Sequence, residues 1–240
     1  MQFYFIRHAQ SENNVLWERT GADKDRKEDP LITSLGRKQA KALAKFLHYG
    51  NPTGGYESDH TRPDGFGLTH LYTSLMRRSV ATAAEISLEL GLTPVAWVEF
   101  HENGGIYLQN PQTGDLNGLP GGTRRFFERK YPDLQLPDWL DERGWWQSQP
   151  YESEEARWQR ARTALDTLIA RHGDTHDRVA VVSHGGFYNT LLKCLMDMPQ
   201  REGLWFTMNN AAITRIDFVD GYVDIVYQNR VDYLPAEIVS

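Results

Sequence analysis

The chain has 240 residues, of which 40% are hydrophobic and 24% are charged, and this composition predicts a soluble globular protein with a full core. Its formal net charge of −6 disfavours nucleic acid as a partner, and no apolar stretch approaches the roughly 20 residues of a membrane span. The single cysteine, Cys194, excludes a disulfide within the chain. With no signal-peptide pattern at the start, we expect a cytoplasmic protein.

The first predicted element ends at a pair of charged residues. An apolar run over residues 1–6 stops at Arg7-His8, and a polar stretch that can start a helix follows. Ligands of α/β proteins bind outside the carboxyl ends of such strands. Arg7 would offer a fork of donors to a phosphate or carboxylate, and a neighbouring cation favours the neutral, nucleophilic form of His8. Ser11 and Asn14 add short polar side chains that could bind a substrate. The alternative is an ordinary strand end with a solvated Arg-His pair.

Hydrophobic periodicity and turn residues divide the rest of the chain into further elements. We predict helices that begin at a cap formed by Thr33 or Ser34 and over residues 79–90, 153–172 and 187–196. We predict strands over residues 68–73, 93–100, 179–183, 213–219 and 222–227, the last two joined by a type I′ turn at Asp220-Gly221. Charged residues 21–29 and breaker-rich residues 50–67 are predicted as surface loops. Alternating strands and helices indicate an α/β sheet with helices on both faces.

Residues 103–150 interrupt this alternation. They combine several glycines and prolines with a set of phenylalanines and tryptophans, which is too aromatic a composition for a disordered segment. We predict a cap-like insertion, folded over the functional site, within a single domain of residues 1–240. Its Arg124 and Arg125 would bind a second anionic or hydroxylated group of a substrate. The alternative is that these arginines are solvated and the tryptophans form a local core.

Five segments of the chain, in the same order, resemble the histidine phosphatase superfamily of phosphoglycerate-mutase-like proteins. The resemblance covers residues 3–215, nearly the whole chain. The matching segments are Arg7-His8 for the Arg-His-Gly signature, residues 30–40 for Leu-Thr-x-x-Gly-x-x-Gln-Ala, residues 73–83 for Ser-x-x-x-Arg-x-x-x-Thr-Ala, Glu102 for the acid, and residues 183–186 for the second histidine site. The resemblance implies a mostly parallel central sheet with helices on both faces.

The resemblance also implies a role for each matching side chain. His8 would accept the phosphoryl group as a phosphohistidine, and Arg7, Arg78 and His184 would bind the phosphoryl oxygens, with His184 protonated. Glu102 would be the general acid, kept protonated because the aromatic insertion desolvates it. Gly185, beside the second histidine, would contact the substrate.

Two residues depart from the family pattern. Ala9 stands where the family usually has glycine, and it is tolerated only if its φ is negative. Gln10 stands where glutamate is frequent, and we expect the loss of that carboxylate to leave anion binding intact.

The function implied is a phosphatase that hydrolyses a small phosphomonoester, such as a sugar phosphate, through a phosphohistidine and without a cofactor. No metal site is predicted, since the remaining histidines have no spacing typical of ligands and would be surface or internally satisfied; they are His48, His60, His70, His172 and His176. The partner would be a small molecule rather than nucleic acid or membrane. The alternatives are phosphoglycerate mutase-type transfer, a catalytically inactive interaction module on the same fold and, more remotely, a metal-dependent hydrolase.

Overall fold

The computed structural model describes residues 1–22, 25–50, 65–198 and 203–240. Most of the predicted loop over residues 50–67 therefore lies outside the described residues, as does His60. The strands are β1 (Gln2–Arg7), β2 (His70–Thr73), β3 (Pro94–Ala96), β4 (Tyr107–Gln109), β5 (Leu116–Gly118), β6 (Arg178–Ser183), β7 (Ile213–Val219) and β8 (Tyr222–Arg230). The helices are α1 (Glu12–Thr20), α2 (Ser34–Tyr49), α3 (Arg77–Leu90), α4 (Arg124–Lys130), α5 (Glu154–His172) and α6 (Gly185–Leu195).

A six-stranded sheet with the order β3-β2-β6-β1-β7-β8 forms the centre of the fold. Its first four strands run parallel to one another, while β7 runs antiparallel to β1 and β8 antiparallel to β7. The predicted α/β architecture with a mostly parallel sheet is confirmed. Asp220 and Gly221 both have positive φ between β7 and β8, which is the backbone of the type I′ turn predicted there.

Alternate residues of β1 face the two sides of the sheet. Phe3 and Phe5 are fully buried in a core that includes side chains of α5 and α6. Tyr4 and Ile6 are fully buried in a second core with side chains of α2 and α3. A strand that is buried on both faces needs apolar residues at every position, which explains the continuous apolar run at the start of the sequence.

Two of the sequence predictions are corrected by the structure. The predicted strand over residues 93–100 is shorter, because β3 is followed by a 3₁₀ turn at Val98–Phe100. This turn buries the Phe100 ring against Trp97, with 4.9 Å between ring centroids. The predicted surface loop at residues 21–29 ends in a buried residue, since Asp29 is only 5% exposed and accepts a hydrogen bond from the Arg77 backbone N–H.

Residues 103–150 pack as a unit against the start of α3. They contain the β4–β5 hairpin and α4, and their buried aromatic residues contact Leu75, Met76 and Val80. Trp145 and Trp146 belong to this core, whereas Trp139 is 48% exposed. The role of this segment as a substrate-selecting cap stays a prediction. Among the described residues, no helix is long and apolar enough to cross a membrane.

Candidate active site

The carboxyl ends of β1 and β6 open into a cavity of about 540 Å³. Strand register places Arg7 beside Ser183, so that the residues that follow the two strands, His8 and His184, meet at this edge. Their ring centroids are 5.1 Å apart. The other site residues predicted from sequence that line the cavity are Arg7, Ser11, Asn14, Arg78, Glu102 and Gly185, while His184 lies buried just behind them.

The hydrogen bonds of His8 define which ring nitrogen carries its proton. Nδ1 lies 2.8 Å from the Ala9 carbonyl oxygen, which can only accept, and Arg78 Nε donates to Nε2 at 3.0 Å. The neutral ring therefore holds its proton on Nδ1 and keeps an unprotonated Nε2. Burial, followed by the charges of Arg78 and Arg7, lowers the pKa of His8 well below its usual 6.5. A neutral imidazole with a free lone pair is the form that can attack phosphorus.

Arg7 and Arg78 place two cations next to this imidazole. Burial lowers the pKa of Arg7 to about 10, and it also lowers the pKa of Arg78. Both groups stay charged at neutral pH. Arg7 donates to the Met208 carbonyl oxygen through one terminal nitrogen, while its Nε is buried without a hydrogen-bond partner within the described structure. Arg78 lies 3.9 Å from Asp29. An unpartnered guanidinium N–H at this position is suited to an anionic ligand.

Two buried serines orient His184. Its Nε2 lies 2.7 Å from Ser74 Oγ and 3.2 Å from Ser79 Oγ. Ser74 Oγ also accepts from the Met76 backbone N–H, so that its own hydroxyl proton is available for Nε2. With Ser74 as the donor to Nε2, the His184 proton lies on Nδ1, a buried atom without a hydrogen-bond partner in the described residues. Sequence analysis included Ser74 in a matching segment but did not assign it this role.

The protein's own groups hold His184 in its neutral form. Burial, followed by the charge of Arg78, lowers the pKa of His184 well below 6.5. The expected protonated imidazole refers to the site with phosphate bound, and it stays a prediction. A phosphoryl dianion bound beside the ring would act in the opposite direction, because a nearby negative charge favours the imidazolium.

Glu102 lies at the amino terminus of α6. Its Oε1 accepts from the backbone N–H groups of Asn103 and Phe187, each at 2.8 Å, and its Oε2 accepts from Gly186 at 3.1 Å. A Cβ on residue 186 would approach Oε1 to 2.4 Å, so that only glycine admits the carboxylate here. Glu102 lines the cavity, and these backbone donors fix its position relative to His8 and Arg78.

A buried ion pair that sequence analysis missed supports the Glu102 segment. Arg160 of α5 pairs with Glu152 at 2.6 Å and donates to the carbonyl oxygens of Glu99 and His101. Glu152 also accepts from the Gly104 backbone N–H. The pair therefore connects α5 to both sides of Glu102.

The two departures from the family pattern have clear local consequences. Ala9 does not have a positive φ, so that alanine fits without strain, as predicted. The side chain of Gln10 accepts from Thr33 Oγ1 at 2.8 Å and does not line the cavity. Ser11 caps α1, and its hydroxyl contacts Asn14 Oδ1 at 2.8 Å.

Arg124 and Arg125 do not line the cavity, which corrects their expected place in the site. Arg124 donates to the carbonyl oxygens of Leu140 and Pro137, each at 2.7 Å, and forms an ion pair with Glu128. Its guanidinium holds residues 103–150 together. The backbone N–H of Arg125 donates to Glu142, and its side chain lies outside the cavity.

Other residues form the outer part of the cavity, and sequence analysis singled out none of them. They come from separate parts of the chain and belong to no motif; they are Asn13, Trp17, Arg26, Asn103, Tyr107, Tyr151, Trp205 and Met208. One signal in the sequence could have indicated Trp17, because it lies in a short and mostly polar helix one turn after the polar residues that follow His8.

A cluster of possible metal ligands lies at the opposite end of the sheet. Ligand atoms of His70, His172 and Asp177 are all within 4.8 Å of one another. His172 Nδ1 contacts Asp177 at 2.8 Å, and its Nε2 contacts the Tyr72 hydroxyl at 3.1 Å. These three residues could hold a metal ion, although their sequence spacing did not indicate it. His70 begins β2, and His172 and Asp177 precede β6. The cavity lies where these two strands end.

Comparison with known proteins gives consistent results. The chain matches the sequence profile of the histidine phosphatase superfamily (branch 1) over residues 3–64 and 60–231. No curated protein matches it. Among solved structures, it resembles YhfR of Bacillus stearothermophilus, with 20% identity, a TM-score of 0.61 and coverage of 97% of this chain and 98% of that one.

Two further solved structures carry the names of phosphatases. Phosphoserine phosphatase from Entamoeba histolytica shares 19% identity with the chain, with a TM-score of 0.57 and coverage of 98% of this chain and 99% of that one. A mycobacterial glucosyl-3-phosphoglycerate phosphatase shares 20% identity, with a TM-score of 0.55 and coverage of 90% of each chain. At these identities the likeness shows a common fold.

Proposed function

The chain belongs to the histidine phosphatase superfamily (branch 1), and on this basis we propose that it is a phosphatase that hydrolyses a small phosphomonoester through a phosphohistidine at His8. The observation that carries the proposal is the state of the His8 ring, which is neutral, with its proton on Nδ1 and its unprotonated Nε2 facing Arg78. A nucleophile in this form, between two arginines, is suited to attack a phosphate ester.

The first step transfers the phosphoryl group to the protein. His8 Nε2 forms a bond to phosphorus while the bond from phosphorus to the leaving oxygen breaks. Arg78 Nε, which donates to His8 Nε2 in the structure, would turn to a phosphoryl oxygen and release the lone pair for attack. Arg7 Nε and His184 Nδ1 are buried donors without partners among the described residues, and they would donate to the other phosphoryl oxygens.

Glu102 would move the proton in both steps. In the first step its carboxyl group donates a proton to the leaving alkoxide. In the second step the carboxylate takes a proton from water, whose oxygen attacks phosphorus and breaks the bond to His8, and phosphate leaves. Oε2 accepts a single backbone hydrogen bond and is the oxygen that we assign to this transfer.

The donor set favours chemistry without a metal ion or organic cofactor. Glu102 is the one acidic side chain among the described residues that line the cavity, whose lining also includes Arg7, His8 and Arg78 and three asparagines. Mg²⁺ prefers carboxylates and other oxygen ligands, and a single carboxylate that already accepts backbone hydrogen bonds is a poor site for it. The guanidinium groups would supply the positive charge instead.

The named activities of two structural relatives support hydrolysis as the outcome. Proteins with this fold include a phosphoserine phosphatase and a glucosyl-3-phosphoglycerate phosphatase. We further propose that residues 103–150 form part of the substrate-binding wall, because Asn103 and Tyr107 line the cavity.

Rapid quenching of the reaction with a phosphate-labelled aryl phosphate tests the proposal. The wild type should give an acid-labile phosphoprotein, and His8→Ala should give none and should lose turnover. His48→Ala is the matched control, since His48 pairs with Glu89 far from the cavity, and it should label like the wild type. A phosphoprotein that persists in His8→Ala would refute the assignment.

A further inference from the structure

The outer part of the cavity exposes two large aromatic rings. Trp17 on α1 is 55% exposed and Trp205, in the segment before β7, is 63% exposed, and both line the cavity. Trp17 does not extend a core formed by its own helix, because α1 has no buried residue. Exposed aromatic residues beside a cavity often mark a binding site, since they offer apolar area with a specific geometry.

Arg26 adds a flat cationic surface to the same wall. Its guanidinium lies over the Tyr107 ring, with 4.1 Å from Cζ to the ring centroid, and its Nε is buried without a hydrogen-bond partner in the described residues. The edge of Tyr107 meets Tyr151, with 4.7 Å between ring centroids. Arg26 and Tyr107 form a cation–π pair, Tyr151 meets Tyr107 in a T-shaped contact, and all three side chains line the cavity.

The chemistry of this wall suits a planar ring better than a ligand bound mainly through hydroxyl groups. The neutral acceptors of the lining are asparagine, serine and tyrosine oxygens, and Glu102 is the one carboxylate among the described residues that line the cavity. Its oxygens accept from three backbone N–H groups, and the proposed function uses it in proton transfer. The wall instead offers ring faces and a guanidinium, both of which stack on a planar π system.

We propose that the outer wall formed by Trp17, Arg26, Tyr107 and Trp205 binds a planar aromatic ring carried by the substrate. The inference rests on the proposed function and narrows it, because the preferred substrates are then phosphomonoesters of aryl or nucleoside type. The cavity volume of about 540 Å³ is enough for a ring in addition to the phosphoryl group. The phosphoryl group occupies the end at His8, and the ring stacks at the mouth.

A comparison of two substrates tests this inference. We would measure kcat/KM for 1-naphthyl phosphate and for glycerol 3-phosphate in the wild type, Trp17→Ala and Trp205→Ala. Each variant should lower the ratio of the two values by about tenfold, mainly through KM, since one lost stacking contact is worth about 1–3 kcal/mol. Trp17→Phe should keep most of the ratio, because phenylalanine retains a ring face.

Trp139→Ala is the matched control, since Trp139 is 48% exposed and does not line the cavity. It should leave the ratio unchanged. If both tryptophan variants lost kcat/KM equally on the two substrates, or lost none, the inference would be overturned and the proposed function would remain intact.

A second experiment does not depend on turnover. It measures the binding of 1-naphthyl phosphate to His8→Ala by tryptophan fluorescence. Trp17→Ala and Trp205→Ala would each be added to the His8→Ala protein. If the affinity for 1-naphthyl phosphate did not change in either, the ring site would be refuted even if the protein proved not to be a phosphatase.

Discussion

The two ends of the cavity are built in different ways. At the inner end, His8 and His184 directly follow adjacent parallel strands, and both are buried. At the outer end, Trp17 and Trp205 lie on a short helix and an irregular segment, and more than half of each side chain is exposed. Strand register fixes the inner residues within a hydrogen-bonded sheet, whereas the outer residues depend on elements that pack against the sheet.

This difference assigns a separate task to each end. The inner groups are cationic or imidazole donors, and they can recognise a phosphoryl group whatever ester it belongs to. Discrimination between esters then depends on the outer end, where ring faces accompany a single guanidinium, that of Arg26. If the two tasks are separate, variants at the inner end should change turnover, and variants at the outer end should change the preference among substrates.

The largest effect after loss of His8 is expected at Glu102, which lies between the two ends. Glu102→Gln removes the transferable proton, and we expect the rate of His8 phosphorylation by glycerol 3-phosphate to fall by about 10²–10³. The same rate for p-nitrophenyl phosphate should fall much less, since its leaving group needs no proton, although hydrolysis of the phosphohistidine is slowed for both. Rapid-quench measurement of the phosphorylation step with both substrates checks this. Glu99→Gln, in the neighbouring 3₁₀ turn and outside the cavity, serves as the control.

If Glu102→Gln slowed the phosphorylation step equally for both substrates, Glu102 would not be the acid for the leaving group and would have a structural role at the start of α6 in that step. Proton transfer by Glu102 would then not connect the inner end of the cavity with the leaving group at the outer end.

A smaller effect is expected at Ser74, which positions His184 without reaching the cavity. Ser74→Ala removes the closer of the two hydroxyl groups at Nε2, and Ser79 at 3.2 Å remains. We expect kcat to fall by roughly tenfold with little change in KM, because one neutral hydrogen bond is worth about 0.5–1.5 kcal/mol. Nitrogen NMR of labelled histidine should show a mixture of His184 tautomers. A single unchanged tautomer would contradict the positioning role.

The smallest effect on turnover is expected at Asp29, where the change is in the pH dependence of stability. Burial raises the pKa of Asp29 from 3.8 to about 6, so that the folded protein holds a proton on this carboxyl that the unfolded chain releases. The free energy of unfolding should therefore fall as pH rises from about 4 to about 6, and Asp29→Asn should lack this fall. Chemical denaturation across that pH range measures it. Identical profiles for the two proteins would show that Asp29 is ionised throughout the range.

The sequence by itself determined the sheet and the reacting end of the site. Apolar runs that end at Arg7 and Ser183 encode strands buried on both faces, and the polar residues after them must appear at one edge of a parallel sheet. The helix caps are also local signals: Ser153 was predicted as a cap, and Thr33 is the one of the two predicted candidates, Thr33 and Ser34, that caps its helix.

Only the tertiary structure decided what surrounds that end. Asp29 and Arg26 lie in a charged stretch whose composition predicts a solvated loop, and packing alone turns one toward Arg78 and stacks the other on Tyr107. Arg124 was expected in the site on its charge, but nearby carbonyl groups bind it within residues 103–150. A side chain outside a periodic element has no local pattern that fixes its direction, and its partners are distant in sequence. The outer wall therefore follows from three-dimensional packing, while the inner site follows from where the strands end.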